Sequence, residues 1–368
     1  MQIIKTKNCN VVVTRDIIFN KNKSGKLILN PLQKVFLDTQ QNILQLISNK
    51  NKLGIATYKE RQLFEALQEI NEDMYNKCNN IAPSLFERIF RQSKVNKAMR
   101  RLSLSHEETN LLQRITDNFM SNILQTGDNL IDYLKRIVVQ TKKEVYKTEY
   151  NVSRQDELFK QLYRGEIQKR GLVAFTDKSN KNWTIGNYTD MLLRTTTRMT
   201  HNYGILYTYE NIDLYMISKH GSTCKLCAPL EGRVYSRSGT HPIYPPLAMA
   251  FGKINKNGGN DLSNTYLSIH PNCLHTLIPF TEHNKSNNEV DRIRQFSSFE
   301  TNPPTRDPRS EKQIEAYHKK EDGRNKLNEA FKEFQMLKMK KGNVIPKSFQ
   351  TFLNHKLSNS NKYKTWIS

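Results

Sequence analysis

Two short half-sites lie far apart in this chain, Cys224-Lys-Leu-Cys227 and His270-Pro-Asn-Cys273. A two-residue gap in a tight turn lets both flanking side chains reach one ion at about 2.3 Å, and three thiols with one imidazole complete a tetrahedral zinc set. If they share an ion, the fold must carry the chain away through residues 228–269 and bring it back. Three readings stay open: a structural zinc, a redox or catalytic metal centre, or small side chains in a polar loop without metal. A thioredoxin-like pair needs its first cysteine at a helix start, where the helix dipole lowers a thiol pKa. Pro229 works against a long helix beginning at Cys224. His220, His241 and His275 are further nitrogen donors; strand alternation puts His275 on the same side as Cys273, where it can bind the metal or hydrogen-bond a ligand.

With Cys224, Cys227, His270 and Cys273 all bound, zinc has no open position for an activated water. Glu231 and Asp261 are the carboxylates near the half-sites, and neither forms a recognised acid–base pair with a histidine. No nucleophile elbow, phosphate-binding loop or metalloprotease helix motif occurs. The expectation is therefore a non-enzyme with no catalytic residues, with a zinc-dependent DNA nuclease or hydrolase, or a nucleic-acid-binding zinc protein, as the rivals. Arg194 and Arg198, one turn apart, read as a solvated or salt-bridged helix face.

Five cysteines in 368 residues, an odd number, argue against a disulfide framework, and Cys9 and Cys78 read as lone small side chains. Lys and Arg outnumber Asp and Glu 57 to 35, a net charge of +22 that favours polyanionic neighbours. The bland source of that excess is a Lys- and Asn-rich composition spread along the whole chain. The start, "MQIIKTKNCNVVV", lacks the features of a signal peptide, and the apolar runs are too short to span a bilayer, so a reducing cytoplasm is expected.

Patterning predicts an α+β chain in five parts: an extended hairpin or arm over 1–30, a helical region over 31–165, an α+β core over 166–285, a linker over 286–310 and a basic helical tail over 311–368. In the helical region Leu32, Phe36, Ile43 and Ile47 form one stripe and Phe64, Leu67, Ile70 and Met74 another. Ser105 and Glu108 form a capping-box signal ahead of Leu112, Ile115, Phe119 and Ile123, and Gly127 is expected to end that helix. The core reads as strand, polar turn and strand from Leu172 to Ile185, then a helix from Asn187, then a strand in "NIDLYMISKHG". In the tail, Leu327, Phe331, Phe334 and Leu337 make a narrow seam suited to a partner.

The order of these motifs carries a resemblance. "GLVAFTDKSNKNWTIGNYTDMLLRTTTRMTHN", "ISKHGSTCKLCAPLEGRVYSRSG", "YPPLA" and "HPNCLHTLIPF" together resemble the phage minor capsid protein 2 family, whose core is similar to Mu-type head-morphogenesis proteins. The resemblance covers about residues 165–285, and the charged tail resembles the family's C-terminal extension. It implies a minor virion protein of a tailed phage, assembled in the host cytoplasm and associated with the portal vertex or capsid interior. The implied partners are the portal protein or major capsid protein, with contact to genomic DNA. The matching positions are Trp183, Tyr188, Arg194 and Thr195, then His220, Cys224, Cys227, Gly232, His270, Cys273 and His275; no catalytic role comes with them.

Overall fold

Asn30 accepts the Leu32 amide, the Gln33 side chain accepts the Asn30 amide, and Pro31 takes the first turn; this reciprocal cap opens helix α1, Pro31–Ser48. The computed structural model describes residues 20, 21, 27, 28, 30–49, 53–94, 100, 102–177, 180, 182–283 and 285–368. Three long helices come next: α2 (Thr57–Ser93), α3 (His106–Thr148) and α4 (Val152–Arg170). Small antiparallel sheets accompany them, so the chain is α+β and mostly helical. The described residues divide into two compact units, one drawn from 82–117 and 191–323, the other from 18–81, 118–190 and 324–368. Among the described residues no helix is long and apolar enough to cross a membrane.

The second unit carries most of the expected helical stripes. Leu32, Phe36, Ile43 and Ile47 are buried along α1; on α2 Leu67 and Met74 are buried with Leu63, while Phe64 and Ile70 are half-buried. Of the expected N-terminal hairpin, β1 (Asn20–Lys21) pairs antiparallel with β2 (Leu27–Ile28), and the rest of that segment, Cys9 included, lies outside the described residues. A second hairpin joins β3 (Val173–Thr176) to β4 (Asn182–Thr184), as the strand–turn–strand pattern predicts.

Ser105 and Glu108 cap α3 reciprocally, amide to side chain at 3.1 Å each way. The helix does not stop at Gly127, however. It runs on to Thr148, and the glycine serves a close approach: a Cβ there would lie 1.7 Å from Asn71 Oδ1. The expected tail seam also has an owner within the chain. Helix α7 (Glu311–Lys341) buries Ala330 and Phe334 against α8 (Phe349–Leu357) and α9 (Asn361–Ile367), with Phe352, Leu353 and Trp366 in the same cluster. Leu327, Phe331 and Leu337 pack on its margin, so the stripe is core, not a bare docking edge.

Helix α5 (Ile185–Thr208), whose residues 191–208 belong to the first unit, leads there to a three-stranded sheet of order β6-β5-β7, made of β5 (Leu214–Ile217), β6 (Val234–Ser236) and β7 (Leu277–Pro279). Ile205, Tyr215, Ile217, Tyr235, Leu267 and Leu277 form its core. Gly204 lets α5 touch the end of α2, since a Cβ there would fall 1.8 Å from Ser93 Oγ and 2.8 Å from the Phe90 carbonyl oxygen. Gly204→Val should therefore lower stability by about 1–3 kcal/mol, read as a fall in the urea midpoint with an unchanged slope.

The hydrophilic stretch expected as a linker is structured. Ser286 and Glu289 form a capping box for α6, Asn287–Ser297. Ser297 Oγ accepts the Val234 amide at 3.0 Å, and buried Arg233 donates to the Asn302 carbonyl at 2.6 Å. Polarity misleads here because its side chains satisfy backbone groups of the sheet.

Candidate metal centre

Each half-site is a single backbone turn: the Cys227 and Ala228 amides donate to the Cys224 carbonyl at 3.2 and 3.0 Å, and the Cys273 amide to the His270 carbonyl at 3.0 Å. The helical stretch after Cys227 is one 3₁₀ turn, Ala228–Leu230, with Pro229 in its first turn and the chain extended at Glu231. The sheet brings the two turns together. The first comes after β5, the second precedes β7, and these strands pair antiparallel with Ile217 opposite Leu277. The ladder extends toward the site through the Ser218 amide, which donates to the Thr276 carbonyl at 2.9 Å.

Five donor atoms converge there in two groups that share Cys227: Cys224, Cys227 and His270, then Cys227, Cys273 and His275. His270 Nε2 lies 3.1 Å from Cys224 Sγ and 3.0 Å from Cys227 Sγ. Cys227 and Cys273 Sγ are 3.8 Å apart, and His275 Nδ1 is 3.2 Å from Cys273 Sγ. A tetrahedral ion with metal–sulfur bonds of about 2.3 Å requires a sulfur–sulfur edge of about 3.8 Å. All three cysteines are buried, Cys227 to 1% exposure.

The ring partners fix which nitrogen of each imidazole faces the thiols. His270 Nδ1 pairs with the Pro271 carbonyl at 2.6 Å, leaving Nε2 for the thiols. His275 Nε2 pairs with Glu231, leaving Nδ1 for Cys273. A ligand imidazole held from behind by a carboxylate or carbonyl is the usual supporting shell of a metal site. Glu231 also accepts the His220 amide at 3.1 Å. Its pairing with His275 corrects the expectation that no carboxylate here forms a pair with a histidine.

The thiols are electrically interdependent. Hydrogen bonding from Cys227 pushes both Cys224 and Cys273 well below the ordinary thiol range, with burial opposing and the histidines assisting. The same two bonds, reinforced by burial, push Cys227 up. Without a cation the cluster thus keeps a proton on its central sulfur, the role a divalent metal takes over when it binds thiolates. Burial first lowers the His275 pKa, but Cys273 and then Glu231 outweigh it and raise the value to about 9.

Other expected residues fall elsewhere. His241 accepts the Ile243 and Tyr244 amides at its own loop. His220 stacks edge-on against His275 at 4.7 Å but is not among the grouped donors. Thr195 Oγ1 accepts the Asn272 amide at 3.4 Å, beside the second half-site. Gly232 has φ of +71°, and its amide donates to the Ile217 carbonyl, so it turns the chain from the first half-site into β6. Trp183 donates to Asp177 and Tyr188 to Asn122, both within the other unit. Arg194 and Arg198 are not a solvated face: both are 4% exposed.

Fold and cluster together define an α+β protein, mostly helical, whose sheet-bearing unit encloses a Cys/His cluster suited to a divalent ion. The sequence profile of the family described as phage minor capsid protein 2 matches residues 38–336, and the chain belongs to that family. It is thereby a structural component of a phage capsid. No curated protein and no solved structure matches it.

Proposed function

We propose that the chain is a minor capsid protein of a tailed phage, placed at the portal vertex or capsid interior beside portal or major capsid protein, and that a structural zinc knits its sheet-bearing unit. The family match over 38–336 supports the capsid role. The observation that carries the zinc reading is the pair of donor groups that share Cys227, one with Cys224 and His270 and the other with Cys273 and His275; Cys224, Cys227, His270 and Cys273 would close on one ion, with His275 and Glu231 behind it or His275 as a fifth donor. Bound zinc would supply folding free energy by tying the end of β5 to the approach of β7. The net charge of +22 suits a neighbour such as packaged DNA.

A zinc-dependent nuclease or hydrolase acting on DNA is the rival reading, and one observation favours it: the pair of His275 and Glu231 beside the cluster has the make-up of a base and its orienting carboxylate. The burial of Cys273, His275 and Glu231 speaks against it, since a DNA substrate would have to reach side chains held within the unit. The test is made on purified virions. They should contain the chain in far fewer copies than the major capsid protein, at a single vertex when labelled, and with no metal-dependent DNA cleavage. Absence from virions would overturn the capsid placement, and cleavage abolished by His275→Ala would establish the enzyme.

A further inference from the structure

Arg198 is a buried charge that the five metal donors leave unexplained. It is 4% exposed, and its Nε has no hydrogen-bond partner among the described residues. Helix α5 is fastened along the second half-site on either side of it. Three residues earlier, Thr195 accepts the Asn272 amide at 3.4 Å. Four residues later, Asn202 donates to the Leu267 carbonyl at 2.8 Å and accepts the Leu277 amide at 3.2 Å. Arg198 therefore lies against the 267–277 segment that carries His270, Cys273 and His275. Burial works against the charge of Arg198 and Cys273 favours it; burial, and after it the arginine, disfavours a charge on His201 and His220.

A guanidinium withdrawn from water is unfavourable without a counter-charge, and no carboxylate of the described residues pairs with this one. Three thiolates outweigh a divalent cation by one unit of charge, so a zinc held by Cys224, Cys227, Cys273 and a neutral imidazole is anionic. We propose that Arg198 is the internal counter-cation of the metal centre, offsetting the surplus thiolate charge and so tightening the binding of a divalent metal. It acts through Cys273 as a positioning residue. The inference rests on the zinc reading.

The experiment is zinc transfer from the full-length protein to a chromogenic chelator. Arg198→Met should weaken zinc binding by about 10- to 100-fold. Arg198→Lys, which restores the charge, should stay within about threefold of the unaltered protein, well short of the loss expected when a supporting residue fails. In a Cys224→His background one thiolate is gone and the centre is neutral, so Arg198→Met should then have little effect. A merely structural arginine would not show that dependence. If Arg198→Met is too unstable to purify, Arg198→Gln against Arg198→Lys makes the same comparison. Unchanged affinity in the neutral variants, or equal damage in both backgrounds, overturns the counter-cation. Absence of zinc from the unaltered protein overturns the metal reading, and this inference with it.

Discussion

Cys227→Ser should release the metal and destabilise the sheet-bearing unit by about 3–5 kcal/mol, the largest change expected of any single substitution in that unit. Cys227 is shared by both donor groups, so its loss breaks each of them at once. Structural zinc in isolated finger peptides contributes roughly 10–16 kcal/mol of apparent binding energy because nothing else folds them. Here the sheet has its own core of Tyr215, Ile217, Tyr235, Leu267 and Leu277, which makes the dependence on metal smaller. Elemental analysis should find about one zinc per chain before the substitution and almost none after it. Chelation of the unaltered protein should reproduce most of the lost stability, and acid should do the same as thiolates and imidazoles take up protons. A metal-free protein whose melting is indifferent to Cys227→Ser would sink the zinc reading.

The half-sites were legible because their chemistry is local: a two-residue gap in a turn states its geometry without reference to the rest of the fold. The faces of α1 and α3 were legible for a similar reason, through periodic apolar positions and a cap such as Ser105 with Glu108. What escaped is long-range. The pairing of Glu231 with His275 depends on β5 meeting β7, and no spacing in the sequence announces it. Arginines four apart on a helix read as exposed until the fold is seen to bury them, as with Arg194 and Arg198. Gly127 carries an ambiguous signal, since a glycine that ends a helix and one that admits a neighbouring side chain look alike in sequence. The α6 signal, Ser286 with Glu289, was present in the sequence, but the surrounding polarity concealed it.

Phe334→Ala should destabilise the C-terminal cluster by about 3–5 kcal/mol, whereas Lys356→Ala should change it by no more than about 1 kcal/mol. Phe334 is fully buried, with ring centres of Phe352 at 5.3 Å, Phe349 at 5.6 Å and Phe331 at 6.2 Å. Removing that ring leaves a cavity at the junction of α7 and α8, and the lost contacts are not recovered by water. Lys356 pairs with Glu333 at the margin, where Tyr363 donates to the same carboxylate at 2.7 Å. That pair stays partly solvated, so its attraction is screened and largely offset by the cost of ordering the lysine. Trp366 stacks on Phe352 at 5.8 Å and reports the cluster by fluorescence once Trp183 is replaced by phenylalanine. A two-stage urea curve in Phe334→Ala, with the Trp366 signal moving first and Lys356→Ala close to the parent, is the expected result. Equal midpoints for Phe334→Ala and its parent would mean that α8 and α9 do not close on α7 in solution, and would return the seam to its reading as a surface for a partner.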